Sequence, residues 1–362
     1  MTPRFPEGSA IVYCEGAFGT PNGKTAHGLV RRTRRYELIC IVDSRHRGSD
    51  AGAVLDGVPN QIPVVGSLDE AVAAAVEQGR RATHFVIGLA PDGGRLPGRA
   101  REVVADALRR GLNVDSGLHD FLSEDPDLAA LARDRGVAIR DVRRPPERAD
   151  LHFFTGEIEN VTSTRVAVLG TDSAVGKRTT AWKIVEGLEA RGRSVEMIGT
   201  GQTAWMQGVG YGVLLDSLVN DFVSGEIEHA ICTAFEETRP DFMVLEGQGA
   251  LMNPAYPGGF ELLAAGRPHA VILQHAPRRL EYDGFPGYPI QPLHEQIQAI
   301  QMISGRPVVA LTLNHEGMTR EEIPAACTAM EAESGLPTVD ALFGDLSPIL
   351  DCIEALSAGV RS

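Results

Sequence analysis

A chain of 362 residues can form two buried cores at roughly 100 to 200 residues per domain. Its formal net charge of −14, with no long basic run, argues against nucleic acid or an anionic membrane surface as partner and points to small molecules. The five cysteines, Cys14, Cys40, Cys232, Cys327 and Cys352, show no metal-ligand spacing and read as packing residues of a reduced compartment. The stretch Met1–Ser9 lacks the apolar core of a secretory leader, and no run of about 18 apolar residues occurs. A soluble, cytoplasmic protein without a bound metal is therefore expected; a homo-oligomer is expected too, although these features do not determine the oligomeric state.

From Ala10 to Arg143, short β-branched runs alternate with helical patterns. The strand candidates are "AIVYCEG", "YELICIVDS", "IPVVGS", "THFVIGLAP", "GLNVDSG" and "GVAIRDV", separated by segments such as "LDEAVAAAVEQG" and "RAREVVADALRRG". This alternation predicts a doubly wound parallel sheet, a Rossmann-like domain over residues 1–144. After the first strand, Gly23-Lys24-Thr25 reads as a second anion site or an interface loop. Asp43 ends the next strand as in dinucleotide-binding units, but the GxGxxG pattern is absent, so no dinucleotide site is assigned. Prolines and mixed charge mark a linker over 145–164.

The pattern then resumes. Strands are expected at "RVAVLGT", "SVEMIGTG", "DFMVLEG", "HAVILQH", "VVALTLN" and "PTVDALF", and helices from Lys177 to Arg191, around Leu218 to Thr238, around Leu293 to Ile303 and from Thr319 to Ser334. A second α/β domain with a parallel sheet thus spans 165–362. Within it, "RVAVLGTDSAVGKRTTAWKIVEGLEARG" reads as strand, Gly-rich turn and helix, the layout of a phosphate-binding loop. Gly170, Thr171, Asp172, Ala174, Val175, Gly176, Lys177, Arg178 and Thr179 are its candidate ligand-binding residues. The amides from Ala174 to Thr179 would cradle phosphate oxygens and Lys177 would reach the terminal ones. The spacing from Gly170 to Gly176-Lys177 is one residue longer than GxxxxGK, and Arg178 stands where nucleotide-hydrolysing loops carry the Ser or Thr that holds magnesium. Thr179, one position on, is the nearest substitute hydroxyl.

"GTDSAVGKRTT" is similar to the loop of dethiobiotin synthetase and its P-loop relatives, and "VLEGQGAL" resembles the acidic strand end of that group. The ordered set "GTDSAVGKRTT", "GTGQTAWMQG", "DSLVNDFVSGEIE", "VLEGQGAL", "DGFPGYPIQPL" and "ALTLNHEG" resembles, over essentially the whole chain, a family long catalogued as a domain of unknown function. Some of its members are D-glutamate N-acetyltransferases of the DgcN type. The resemblance implies a Rossmann-like domain followed by a P-loop NTPase-like domain, acetyl-CoA as co-substrate and an amino acid, D-glutamate, as acceptor. Coenzyme A suits a loop without the magnesium hydroxyl, because its reactive thioester lies far from its phosphates. From the residues alone the donor stays open: an ATP- and magnesium-dependent ligase or kinase, or a non-catalytic nucleotide-binding protein, fits the loop as well.

Acyl transfer to an amine needs a base, a grip on carboxylates and a cradle for the oxyanion. Glu246, at the end of an apolar strand, is the leading candidate base or base-orienting residue, with capping of a neighbouring helix or binding of a loop amide as the plain alternative. Asp221 and His275 are further candidates, and Arg278 and Arg279 are expected to grip a substrate carboxylate unless they are solvated loop charges. Asp216 reads as the N-cap of the following helix. Gln202 and Thr203 follow a strand and are expected to face the site, with Trp205 and Met206 as packing. Asn314 ends another strand, where P-loop relatives contact a base. Tyr282–Pro292, rich in Gly, Pro and aromatics, has the composition of a loop that closes over a ligand.

Overall fold

The computed structural model describes residues 5–360 and resolves two compact units. The first four residues of the stretch Met1–Ser9 lie outside the described residues. One unit comprises the chain up to Pro145 together with Gln202–Val209; the other comprises Pro146–Gly201 and the chain from Gly210 onward.

The first unit holds six strands: β1 (Gly8–Tyr13), β2 (Tyr36–Val42), β3 (Val64–Val65), β4 (His84–Ile87), β5 (Asn113–Ser116) and β6 (Ile139–Asp141). They form one parallel sheet in the order β3-β2-β1-β4-β5-β6, the doubly wound arrangement expected. Ile11, Val12, Ile41, Phe85, Val86 and Val114 are fully buried, as strands covered on both faces require. Asp43, which follows β2, is also fully buried; its carboxylate accepts the Gly16 N–H at 2.6 Å and pairs with His46 Nδ1 at 2.5 Å. Thr25, in the helix Lys24–Arg31, faces Thr203 Oγ1 at 3.1 Å.

That last contact belongs to an excursion of the chain. The helix Gln202–Gln207 packs within the first unit although the strand before it belongs to the second. Arg35 holds it twice, stacking its guanidinium 3.7 Å over the Trp205 ring and donating from Nε to the Trp205 carbonyl at 2.7 Å. Gln207 Nε2 donates to the carbonyls of Gly28 and Arg32. Met206 is fully buried, so Trp205 and Met206 are packing residues.

The second unit holds β7 (Thr164–Gly170), β8 (Val195–Gly199), β9 (Tyr211–Gly212), β10 (Phe242–Glu246), β11 (Ala270–His275), β12 (Val308–Leu313) and β13 (Thr338–Asp340). All pair in parallel, in the order β13-β12-β11-β7-β10-β8-β9. The central strand β7 is buried along its whole length, and its neighbours β10 and β11 are connected to opposite halves of the sheet. The carboxyl end of β7 is therefore the topological switch point, where open α/β sheets present their ligand crevice.

The segment expected as a linker is strapped onto this unit. Glu228, in the helix Asn220–Thr238, is 3 % exposed and accepts the N–H groups of Thr155 at 2.5 Å and Ile158 at 3.2 Å, while Glu226 accepts the His152 N–H at 2.7 Å. Gly225 makes this approach possible: a Cβ there would lie 2.0 Å from the His152 carbonyl oxygen. In an open helix Gly→Ala gains about 1 kcal/mol, but a clash with backbone cannot be relieved by a rotamer change. Gly225→Ala should therefore lower stability by about 1–3 kcal/mol in chemical denaturation. A midpoint at or above that of the unsubstituted protein would show that the strap moves aside freely.

Candidate functional site

The turn after β7 is shaped by residues that tolerate unusual backbone. Ala174 has φ of +51° and Gly176 of +102°, the latter favouring a residue without Cβ. At Gly170 a Cβ would meet the Lys177 stem at 3.0 Å, so glycine there lets that stem fold back against the strand end. The helix Lys177–Ala190 then begins with Gly176 as N-cap and no side-chain cap on its first-turn N–H groups, the arrangement of an anion cradle. Lys177 is 7 % exposed, and its Nζ donates to the carbonyls of Asp172 and Gly249, each at 2.7 Å. A phosphate oxygen arriving here would take over donors that these two carbonyls hold.

Asp172 is fully buried, and its carboxylate ties the surrounding loops together. It accepts hydrogen bonds from Asn253 Nδ2 at 2.7 Å, Arg279 Nη1 at 2.9 Å and the Asp283 N–H at 2.8 Å, besides its neighbour Ser173 N–H at 2.6 Å. Arg279, 12 % exposed, also reaches the Ser173 carbonyl at 2.8 Å and Glu316. Arg278 donates to the Gly317 carbonyl and to Glu322. Both arginines thus have partners within the chain. The segment Tyr282–Pro292 is held at Asp283 by Asp172 and at Tyr282 by Gln291.

Glu246 ends β10, is 4 % exposed and stands beside the loop. Its Oε2 accepts the Thr200 N–H at 3.1 Å, and Arg178 Nη1 lies 3.8 Å from its Oε1. Burial pushes its carboxyl above the usual range, against the opposing pull of Arg178, the Thr200 amide and Lys177. Such a carboxylate is a better proton acceptor near neutral pH than an exposed one.

His275 ends β11; its Nδ1 shares a hydrogen bond with Thr171 Oγ1 at 2.9 Å, and burial pulls its pKa down to about 4. It is neutral at pH 7 and a weak base. Asn314 donates from Nδ2 to the Val175 carbonyl at 2.7 Å, bracing the loop from β12. Asp221 is exposed in the first turn of its helix. Thr179 is half-buried on the helix beside Arg178. Gln202 and Thr203 lie on the excursion within the first unit, where Thr203 pairs with Thr25. Asp216 does not cap the helix: Val219 holds that position, and Asp216 sits in a short turn where it accepts from Gln248 Nε2 at 3.2 Å. The capping expectation fails because the chain makes one more turn before the helix starts.

Several site residues escaped the sequence reading. Gln274 accepts from the hydroxyls of Thr180 and, at 2.5 Å, Thr312, knitting helix, β11 and β12 beneath the loop. A glutamine inside the apolar run "AVILQH" was the available signal. Asn253 and Thr200 gave none, because their partners are set by tertiary contact. Among the described residues no group of three or more His, Cys, Asp or Glu is placed to hold a metal ion, and no helix is long and apolar enough to cross a membrane.

A Rossmann-like unit and a parallel-sheet unit with a lysine-bearing phosphate loop define a two-domain P-loop protein. The DUF1611 C-terminal P-loop domain, a domain of unknown function, matches residues 152–350, and the DUF1611 N-terminal Rossmann-like domain matches residues 44–145. The chain belongs to the DUF1611 family. It is 31 % identical over 296 residues to a D-glutamate N-acetyltransferase of Tritonibacter scottomollicae, covering 80 % of this chain and 85 % of the relative. A D-glutamate N-acetyltransferase of a Pseudoalteromonas species is 30 % identical over 283 residues, covering 76 % and 80 %. The crystal structure of a DUF1611 family protein from Anabaena variabilis superposes with a TM-score of 0.87 at 28 % identity, over 96 % of this chain and 99 % of that one.

Two measurements probe this geometry. Removing one partner of a buried ion pair typically costs about 3–5 kcal/mol, so Asp172→Ala should lose stability of that order in urea denaturation; a loss under about 1 kcal/mol would mean that Arg279 and the loops find other anchors. For His275, the unfolded state takes a proton at its ordinary value of 6.5 and the folded state only near 4. Its contribution to stability is therefore present above pH 6.5 and is lost as pH falls toward 4. Between pH 7 and pH 5, His275→Gln should lose about 1–2 kcal/mol less than the unsubstituted protein. Equal losses would show that His275 titrates alike in both states.

Proposed function

We propose that this protein is an N-acetyltransferase that moves the acetyl group of acetyl-CoA to the amino group of an amino acid, D-glutamate. The observation that carries the chemistry is Glu246: a buried carboxylate with a raised pKa, at the carboxyl edge of the sheet and beside a phosphate loop. The relatives' names supply the acetyl transfer and the acceptor; acetyl-CoA as donor is our reading of a phosphate loop without the magnesium hydroxyl. In this reading the loop amides and Lys177 hold the phosphates of the donor. The amine nitrogen attacks the thioester carbon, Glu246 takes the amine proton, the C–S bond breaks, and the thiolate leaves and is protonated. His275, neutral and weakly basic, serves as a fixed donor or acceptor beside the loop. The second domain of the reading, acceptor selection, follows from stereochemistry: a site gripping two carboxylates and one amine cannot satisfy all three with the mirror image.

Thiol release from acetyl-CoA tests the proposal. Release is expected with D-glutamate and is much slower with L-glutamate or D-aspartate. Glu246→Gln keeps shape but removes the basic carboxylate, so turnover should fall about 10²- to 10⁴-fold. Full activity of that variant would make Glu246 structural. If no amino acid elicits thiol release from the unsubstituted protein, the acetyltransferase reading fails. Lys177→Ala, which removes a charge-assisted contact, should weaken coenzyme A binding about ten- to a hundredfold by calorimetry. Unchanged affinity would place the phosphates elsewhere.

A further inference from the structure

P-loop domains commonly hold nucleotide phosphates together with magnesium, coordinated by the hydroxyl that follows the loop lysine and by waters fixed on a strand-end acid. The residues here do not fit that ion. The position after Lys177 is Arg178, whose guanidinium has no lone pair to offer a metal. The acid at the strand end, Glu246, has its oxygens engaged, Oε2 by the Thr200 N–H at 3.1 Å and Oε1 facing Arg178 Nη1 at 3.8 Å. Two of the nearby hydroxyls are also committed, Thr180 to Gln274 and Thr171 to His275 at 2.9 Å. A dication entering here would meet one carboxylate and two cations, Lys177 and Arg178.

The same atoms suit an anion. The Arg178 side chain is 25 % exposed and lies beside the Glu246 carboxylate at the start of the helix. A planar guanidinium can grip two phosphate oxygens at once, which a lysine ammonium cannot do with the same geometric definition. With Lys177 it supplies two fixed positive charges at the mouth of the helix Lys177–Ala190, against the negative charges of a diphosphate.

We propose that Arg178, steered by Glu246, takes the place of the magnesium ion at this loop, so that a diphosphate ester binds without metal. The inference rests on the reading that the loop holds a diphosphate-bearing ligand, but not on which one. It gives Glu246 a positioning role in addition to that of base: its carboxylate faces the guanidinium at 3.8 Å.

The test is calorimetric titration of the full-length protein with coenzyme A and, separately, with ADP, each in chelator and in excess magnesium, using the unsubstituted chain, Arg178→Lys and Arg178→Ser. For the unsubstituted chain, affinity is expected to agree within about twofold between chelator and magnesium. Arg178→Ser installs the missing hydroxyl and removes the cation; it should bind about ten- to a hundredfold more weakly in chelator and recover at least in part with magnesium. Arg178→Lys keeps a cation and should bind more weakly, with no gain from magnesium. Thermal melts confirm that the variants are folded, and the chelator comparison on the unsubstituted chain needs no variant. A tenfold or greater gain from magnesium in the unsubstituted protein overturns the inference, as does Arg178→Ser binding in chelator with unchanged affinity. Absence of binding by both ligands overturns it too. Metal-independent binding of ADP alone leaves the inference standing and removes coenzyme A as the ligand. Metal-independent binding of coenzyme A without thiol release in the presence of amino acids leaves it standing and removes the acetyltransferase reading.

Discussion

Asp172 organises the carboxyl edge of the second sheet. A carboxylate with no exposed surface costs several kcal/mol unless its lone pairs are taken up. Here they are satisfied by groups from three stretches of chain: its neighbour Ser173, Asn253 after β10, and Arg279 with Asp283 after β11. Because one buried charge requires all of them, the loops flanking the phosphate loop are placed together. Lys177 adds a second tie between the same regions through the carbonyls of Asp172 and Gly249. A ligand phosphate that recruits Lys177 therefore competes with a contact that holds the Gly247–Ala250 turn, immediately after Glu246. In the proposed reading, ligand binding would be linked through that lysine to the surroundings of the candidate base.

Glu246 shows two electrostatic effects in opposition. Desolvation favours the neutral acid, whereas Arg178, Lys177 and the Thr200 amide favour the carboxylate, and burial prevails. His275, on the other side of β7, has burial as its only cause of shift and becomes simply neutral. Burial thus acts on both candidate bases at this sheet edge in opposite directions, raising the carboxyl and lowering the imidazole, and only the carboxyl has charged neighbours that oppose it.

Much of the fold was legible because both sheets are parallel. Their central strands appear as uninterrupted apolar runs such as "VAVL" and "FMVL", bounded by Gly, Asp or Glu, and the phosphate loop is contiguous in sequence. The two-residue β9 and the six-residue helix Gln202–Gln207 are too short to establish a period, and they were missed. The partners of Asp172 lie 81 to 111 residues away along the chain, so no local pattern announces them. Arg278 and Arg279 were readable as cations at a strand end, but their engagement by Gly317, Glu322, Asp172 and Glu316 was not. Pattern identifies which residues can do chemistry; tertiary contact decides which are already occupied.

The excursion Gln202–Val209 bears on how the molecule is made. A fragment ending at Pro145 would leave Arg35 without the Trp205 ring, Thr25 without Thr203 and the Gly28 carbonyl without Gln207. During synthesis, the first unit stays incomplete until residue 209 has cleared the ribosome, by which time β7, the phosphate loop and β8 have been made as well. The amino-terminal half is thus finished by a piece of the carboxyl-terminal half. A single crossover in the gene near Pro145 would exchange the first domain without its completing helix, or the second domain together with a helix that belongs to the first.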